Sequence, residues 1–509
     1  MAKAKKSAII LMFITLISKV TGFIRDIILA QSFGASIITD AYLTALNIPV
    51  VLFDGISSSL GTTYIPMFFK IKEEDGNDSV NKFTSNILNI VILLSIIFII
   101  ISLIFTPYIV KIFAIGFKGE ELKLTIKFSR ILIFSMIFIA TNGLISSYLV
   151  ANGKFYISGL VTIPFNTFCI ISIIIGSLTN SKIMVIGTLI AYIAQLLFQI
   201  PFLLKTGYKH NLRINLKDEN IKKILYLIIP VFLGSYVNQI NAVVNRTLAS
   251  TLEFGSITAL NYANKLNIFA VGILVISIST VMYPILSKLA SENNIVEFKR
   301  NLLRNIDIVV IVMLPIMIGI MILSTPIVKI LFEQGSFNSH DTYLTSTALF
   351  YYSVGIVAVG IRDITSRAFY SLQDTKTPVK NAVIAVFINM ICSIILVKVL
   401  GIGGLALSAS ISSILGALLL ILDLRKKIGN LGLKSSILTF IKCSIASIIM
   451  GILVINSYNI VLNFYTEIIA LIISVFIGIF TYYIMNIILR VNEVLIITKQ
   501  IKNKYLLKR

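Results

Sequence analysis

Apolar runs of about 20 residues recur along nearly the whole chain, and no other feature constrains the fold as strongly. A helix of that length spans about 30 Å of hydrocarbon. Stretches such as 87–105 and 468–488 are apolar on almost every face, unlike the alternating strands of a transmembrane β-barrel. With 57% hydrophobic and 13% charged residues, the 509-residue chain has more apolar surface than a water-soluble core could bury. The sequence therefore predicts an all-α polytopic membrane protein.

The apolar runs divide into about 14 predicted transmembrane helices. The N-terminal run resembles a signal peptide, but no small-residue cleavage site follows and Lys19 interrupts it, so we interpret it as the first span. The approximate spans are 8–32, 41–68, 85–106, 127–150, 157–178, 184–204, 224–252, 257–287, 305–331, 343–370, 379–399, 402–424, 435–456 and 465–489.

The basic residues follow membrane topology. The net charge of +22 would suit a nucleic-acid partner, but the Lys and Arg residues cluster in alternate connections, at 70–72, 205–223, 288–304 and 425–434. The intervening connections carry almost none, except for 111–127. By the positive-inside rule, both termini are expected in the cytoplasm. No nucleic-acid partner is expected, and membrane lipids surround the chain.

The two halves of the chain resemble each other. The segments at 33–49 and 152–166 match those at 254–269 and 373–389, with an offset of about 220 residues. Six spans separate the copies, so the halves have the same orientation and a pseudo-two-fold axis along the membrane normal. We expect a six-helix lobe at 1–205, a basic cytoplasmic linker at 206–223 and a second six-helix lobe at 224–430. Residues 431–509 add two helices and a basic tail.

Ionisable residues inside the spans are the candidate site residues, because each costs about 2.5–3.5 kcal/mol to insert and normally faces protein or a watery cavity. Lys19, Arg25 and Lys265 suit a cationic lining that binds a phosphate-bearing substrate. Gly22 offers a hinge between Lys19 and Arg25, which lie roughly 240° apart around a helix. Asp26 and Asp40 are expected to position the cations.

Salt bridges that only fix helix packing, for example Arg25 with Asp40, are the alternative for these residues. Further candidates are Asp54, Arg362, Asp363 and Arg367; the two arginines lie near a predicted cytoplasmic end and suit an interfacial position.

Signals of a soluble enzyme are missing from the sequence. His210 and His340 are far apart, the three cysteines have no metal-ligand spacing, and no phosphate-binding loop occurs. We expect no enzymatic activity, no metal site and no cofactor. Transport would depend on a coupling ion, the membrane potential or mass action.

Four segments resemble signatures of the MurJ (MviN) family, the lipid II flippases of the multidrug, oligosaccharidyl-lipid and polysaccharide exporter superfamily. They are SKVTGFIRDIILAQSFGASIITDAY at 18–42, NYANKLNIFAVGIL at 261–274, LFEQGSF at 331–337 and FYSLQDTKTPVKNA at 369–382. The resemblance implies two lobes around a cationic cavity, with a groove for the polyprenyl tail beside the final helix pair. It also implies alternating access that carries lipid II, the undecaprenyl-diphosphate-linked peptidoglycan precursor, from the cytoplasmic to the outer leaflet of a bacterial cell membrane.

In this resemblance Arg25 matches the family's first-helix arginine, and Asp26 and Asp40 match its acids. The chain has lysine at 19 and 265, where the family usually has arginine, and it lacks the arginine expected near Leu52 and Phe53 as well as a Glu-Gly pair near residues 57 and 58. Another polyprenyl-linked glycan or teichoic precursor is therefore an alternative substrate. An ion-coupled small-molecule exporter and a non-transport envelope scaffold are further alternatives. The expected state is a monomer, with peptidoglycan synthases as candidate partners.

Overall fold

The computed structural model describes residues 2–496 and 498, and within this range the chain is helical without a strand. Side chains are described from residue 14 onward, except at 230, 233–235, 238, 273, 274, 276, 277 and 280. The helices are α1 (Ala2–Phe33), α2 (Ile37–Phe113), α3 (Gly119–Leu132), α4 (Ser135–Ala151), α5 (Phe155–Leu160), α6 (Thr162–Leu178), α7 (Ser181–Leu204), α8 (Glu219–Ala249), α9 (Ser256–Ser291), α10 (Ile295–Ile322), α11 (Ser324–Phe332), α12 (Ser339–Ser353), α13 (Ile356–Ser371), α14 (Lys376–Leu400), α15 (Ile402–Ile428), α16 (Lys434–Leu462) and α17 (Glu467–Ile488).

Each of the 14 predicted spans falls on one of these helices, on half of α2, or on two consecutive helices. Among the described residues, eight helices have the length and apolarity to cross a bilayer, or up to ten if two bent pairs each form one span. The bent pairs are α3 with α4 and α12 with α13, each with an angle of 45° between its two helices. The all-α polytopic prediction is confirmed.

Helix α2 contains two of the predicted spans and folds back on itself. Gly76 interrupts its helical conformation with φ 80° and ψ −178°. Tyr64 stacks on Phe83 with ring centroids 5.9 Å apart, and Phe53 meets Phe98 at 5.5 Å. In a straight helix 20 residues span about 30 Å, so these contacts require the two halves of α2 to run antiparallel.

The helix boundaries repeat at the offset seen in the sequence. Helix α12 begins 220 positions after α3, and α15 begins 221 positions after α7. Each copy contains a bent pair, α3 with α4 in the first and α12 with α13 in the second.

Contacts divide the chain into two compact units. Unit 1 comprises Met1–Thr258 and Gln334–Asn338, and unit 2 comprises Ala259–Glu333 and Ser339–Arg509. The sequence predicts that the first lobe ends at residue 205, whereas α8 packs in unit 1. The Tyr236 hydroxyl of α8 donates to the Leu52 carbonyl at 3.0 Å, and its ring fills the space beside Gly55. The contact units therefore differ from the predicted lobes, because α8 groups with the first half of the chain. The division of the sequence repeat into two six-helix lobes stays a prediction.

Each unit has its own hydrophobic core. In unit 1 the halves of α2 pack with α4 around buried side chains that include Tyr64, Phe68 and Leu144. In unit 2, α10, α13 and α15 surround Phe298, Met313 and Leu420. Large side chains such as Ile104, Ile391 and Phe480 are exposed along the outer helix faces, as lipid contact requires.

Candidate functional site

A polar cavity of about 530 Å³ lies in unit 1 between α1 and the segment that joins α5 to α6. Two of the predicted cations, Lys19 and Arg25, line it, and none of its lining residues is acidic. The lining consists of Thr15, Ser18, Lys19, Arg25, Ser158, Gly159, Thr162, Phe165 and Asn166.

Arg25 is held by partners on three sides. Its Nη2 donates to Asp26 Oδ1 at 3.0 Å and its Nη1 donates to Asn166 Oδ1 at 3.2 Å. The guanidinium carbon lies 5.8 Å from the centre of the Phe165 ring, within cation–π range. The amide of Asn166 also donates to Thr21 Oγ1 at 3.0 Å, which fixes its orientation. The Arg25 side chain is 19% exposed, so it is restrained but open to the cavity.

Lys19 is exposed and shares the cavity with Arg25 although the two residues lie on different faces of α1. Their separation of six positions corresponds to about 9 Å along the helix axis, a distance that a cavity following α1 covers. The helix runs without interruption through Gly22, where an added Cβ would lie 3.6 Å from Asn166 Nδ2. The hinge at Gly22 stays a prediction.

Asp40 is engaged away from Arg25. Its carboxylate is buried and accepts hydrogen bonds from the Gly255 and Thr258 amides, both at 2.8 Å, and from the Thr258 hydroxyl at 2.5 Å. These amides belong to the start of α9, where backbone N–H groups have no partner within the helix. The salt bridge from Arg25 therefore goes to Asp26, and Asp40 caps α9.

Lys265 lies half-buried on α9 in unit 2. Arg25 and Lys19 belong to unit 1, so the three predicted cations come from two units.

Arg246 is a half-buried cation that the sequence-based selection omits. Near the end of α8, its Nη1 donates to the Leu43 carbonyl in α2 at 2.5 Å. The sequence does contain a signal for this residue, because Arg246 is an arginine inside the predicted span 224–252. Its place near the end of that span suits an interfacial arginine equally well.

The two arginines of α13 differ in their surroundings. Arg367 Nε donates to Asp363 Oδ2 at 2.8 Å, so this cation is ion-paired within its own helix. Arg362 lines a cavity of unit 2, and its interfacial position stays a prediction. Residues of α9, α12 and α15 line the same cavity.

The place where an arginine was expected on the second span is apolar. Phe53 is completely buried in the core of unit 1, and Leu52 packs against the same core. No cation replaces the missing arginine at these two positions.

An apolar groove of about 550 Å³ runs between α10, α16 and α17 in unit 2. Its walls include Ile311, Gly319, Met450, Val475 and Gly478. Small residues bring the helices together, since Gly451 and Gly478 leave no room for a Cβ beside Ile322 and Val454. Such a groove suits a hydrocarbon chain.

A family model described as lipid II flippase MurJ matches residues 29–476. The chain belongs to the lipid II flippase MurJ family. A probable lipid II flippase MurJ of Buchnera aphidicola subsp. Schizaphis graminum is 32% identical over 432 residues, which cover 83% of each chain. A probable lipid II flippase MurJ of Vibrio cholerae is 30% identical over 434 residues, 82% of each chain.

Solved structures agree with the MurJ assignment. A lipid II flippase MurJ in an inward closed conformation superposes with a TM-score of 0.81 at 29% identity, over 95% of this chain and 99% of the other. An inward-facing multidrug resistance MATE family transporter of the MOP superfamily gives a TM-score of 0.71 at 16% identity, over 84% of this chain and 99% of the other, and shares the fold alone. The family resemblance seen in the sequence is confirmed. Among the described residues, no group of three His, Cys, Asp or Glu side chains is placed to bind a metal ion.

Proposed function

We propose that this chain translocates lipid II from the cytoplasmic to the outer leaflet of a bacterial cell membrane by alternating access. The observation that carries the proposal is the unit 1 cavity, where Lys19 provides the excess positive charge, the Asp26-paired Arg25 offers hydrogen-bond donors and no lining residue is acidic. Such a site attracts a diphosphate and repels the organic cations that a small-molecule exporter would bind. Membership of the MurJ family supports the same substrate.

The residues have different roles in this proposal. Arg25 and Lys19 of unit 1, and Lys265 of unit 2, are the proposed substrate-binding cations, with the fork of Arg25 as the directional donor. Asp26 orients Arg25, and Asp40 holds the start of α9. The groove between α10, α16 and α17 takes the polyprenyl tail. The protein works as a monomeric transporter without enzymatic chemistry or a resident cofactor, both termini lie in the cytoplasm, and peptidoglycan synthases are its candidate partners.

A second substrate class is favoured by one observation. The buried Phe53 and the neighbouring Leu52 occupy the place of an expected cation, so the site has less positive charge than the family pattern implies. Another polyprenyl-linked glycan or a teichoic precursor would suit this lower charge.

The test is complementation of a bacterium depleted of its own flippase, with direct measurement of lipid II accessible in the outer leaflet. We expect the wild-type chain to restore accessibility and Arg25→Ala to lose at least tenfold of it. Arg300→Ala is the matched control, because Arg300 is 79% exposed and pairs only with Glu297 within its own helix. Equal lipid II accessibility with Arg25→Ala and wild type would contradict the proposal. Restored growth without accessible lipid II would favour the second substrate class.

A further inference from the structure

Unit 2 contains a second polar cavity, separate from the one that holds Arg25. Its volume is about 290 Å³, and it lies among α9, α12, α13 and α15. Small-molecule sites usually enclose about 300–1,000 Å³, so this cavity fits the end of a larger ligand. The polar lining residues are Asn264, Asn267, Tyr352, Arg362, Ser410 and Ser413.

The bend between α12 and α13 builds this cavity. A Cβ on Gly355, at the bend, would come within 2.9 Å of Ser410 Cα, so only glycine allows α15 to approach this closely. The Ser410 hydroxyl donates to the Tyr351 carbonyl at 2.7 Å and the Tyr352 carbonyl at 3.1 Å, and the Tyr352 carbonyl also accepts from the Gly355 amide at 3.2 Å. The backbone is therefore satisfied, and the cavity is a stable part of the unit.

Arg362 brings a positive charge to the cavity that no neighbouring acid neutralises. The adjacent carboxylate, Asp363, accepts from Ser279 at 2.6 Å and from Arg367 at 2.8 Å. None of the cavity's lining residues is acidic. Among the described residues, no carboxylate lies within ion-pair distance of the Arg362 guanidinium. A half-buried arginine in this state calls for an anionic partner.

Asn267 offers a second polar contact to a ligand in this cavity. Its side-chain oxygen Oδ1 is buried and has no hydrogen-bond partner. A buried acceptor without a donor costs about 1–3 kcal/mol, so a ligand that brings an N–H group recovers that energy. A phosphate carries no such donor, whereas the end of a peptide has a carboxylate and an amide N–H a few bonds apart.

We propose that this cavity binds the C-terminal carboxylate of a peptide through Arg362 and the adjacent amide N–H through Asn267. Resting on the proposed function, the ligand is the peptide carried by the lipid II head group. The planar guanidinium matches a carboxylate with two parallel hydrogen bonds. One negative charge on the ligand balances one positive charge in the cavity. The cavity therefore selects head groups whose peptide ends in a free acid.

A binding experiment tests the cavity without transport. The probes are an N-acetyl dipeptide with a free carboxylate, the same dipeptide with a C-terminal amide, and inorganic phosphate, titrated calorimetrically into the purified full-length protein. We expect wild type to bind the acid at least tenfold more tightly than the amide or phosphate. Arg362→Gln should lose this preference and Arg362→Lys should retain only part of it. Arg367→Gln, which removes a paired cation on the same helix, should behave like wild type. Phosphate binding as tight as that of the acid, or an unchanged preference in Arg362→Gln, would overturn the proposal.

A transport experiment separates this proposal from the proposed function. Proteoliposomes receive lipid II whose peptide ends in a free acid or in an amide. We expect wild type to move the free acid at least fivefold faster, and Arg362→Gln to move both at the slower rate. If wild type moves neither lipid, the proposed function fails, and the dipeptide titration alone then decides on the cavity. If wild type moves both equally, the cavity proposal fails while the proposed function stands.

Discussion

Charge and orientation come from different residues in the cavity of unit 1. Arg25 and Asp26 form a close pair that is nearly neutral as a whole, and Asn166 with Phe165 fixes the plane of the guanidinium. The excess positive charge comes from the exposed Lys19. Attraction of a distant anion therefore depends on Lys19, and directional binding depends on Arg25.

Replacing Asn166 with leucine tests this division. Asn166→Leu keeps every charge and removes the acceptor for Arg25 Nη1 and the donor to Thr21. We expect unfolding free energy to fall by about 1–2 kcal/mol, the range of polar contacts between membrane helices, and lipid II transport to fall more steeply than initial binding. Thermal unfolding in detergent and the transport assay measure the two effects. Transport equal to that of wild type would show that Arg25 needs no orientation.

Asp374 gives a pH dependence outside the membrane-spanning helices. It lies between α13 and α14, where Lys427 Nζ donates to it at 2.6 Å and the Thr377 amide at 3.0 Å. These contacts, chiefly the one with Lys427, lower the pKa of the carboxyl group to about 2. The unfolded value is about 3.9, so the stabilisation is present above pH about 4 and is lost as the pH falls through about 2.

The corresponding experiment compares wild type with Asp374→Asn between pH 5 and pH 2. The Lys427 side chain is 37% exposed, so solvent limits the pair to about 1 kcal/mol or less. We expect wild type to lose this amount on acidification and the variant to start without it, so that the two unfolding curves converge at low pH. Curves that stay parallel across the range would remove Asp374 as the titrating group.

At the scale of helices, small residues set the distance between neighbours. In the pair α6 and α7, a Cβ on Gly187 would lie 2.0 Å from the Ser172 Cβ, a separation that no side-chain adjustment provides. The Cβ atoms belong to rigid backbones, so the two helices would have to move apart.

Gly187→Ala should therefore destabilise the protein by about 1–3 kcal/mol, the usual cost of overpacking. Gly319→Ala in α10 is the matched control, because no atom lies within 4 Å of its added Cβ. That control should leave stability unchanged or raise it by up to about 1 kcal/mol, as expected of alanine in a helix. Denaturant titration of both variants measures the difference, and equal stability of the two would contradict tight packing of α6 on α7.

The long apolar runs of the sequence predict the spans, because helix faces that contact lipid must be apolar. All of the predicted spans fall on helices. The bends at 133–134 and 354–355 carry no proline and no run of polar residues, so the pattern gives them no signal. The sequence places Arg362 near a predicted cytoplasmic end, whereas the cavity that it lines is built by helices that only the fold brings together. Arg25 is identifiable because it is an ionisable residue inside the first span and within the family signature at 18–42, whereas its partner Asn166 is 141 positions away and only the fold brings them together.

At the scale of the whole molecule, the repeat duplicates architecture without duplicating chemistry. The position in unit 1 that corresponds to Arg362 falls next to Asn142, whose amide bonds to Gln195 at 3.1 Å and accepts from Gln199 at 3.0 Å. This amide network is satisfied by its own members and carries no charge. The bent pair of unit 1 is therefore a structural element, and only its copy in unit 2 offers an anion site.

The orientation of the chain in the membrane is testable by labelling. In a background with Cys169, Cys392 and Cys443 replaced by serine, one cysteine is introduced at Lys217 or at Asn463. The positive-inside rule places 217 in the cytoplasm and 463 outside. A membrane-impermeant maleimide should label position 463 in intact cells and position 217 only after permeabilisation. The reverse pattern would invert the proposed direction of transport.

The conformation of Gly76 has a consequence for chirality. Its φ of 80° with ψ near 180° is a combination that L-amino acids avoid, and D-amino acids adopt it readily. An added side chain would meet no neighbour there, so backbone handedness alone restricts the position. A semisynthetic chain with D-alanine at position 76 would keep the reversal between the halves of α2. L-alanine at the same position would strain the backbone there. One achiral residue thus allows a stretch of 77 residues to turn back without a loop.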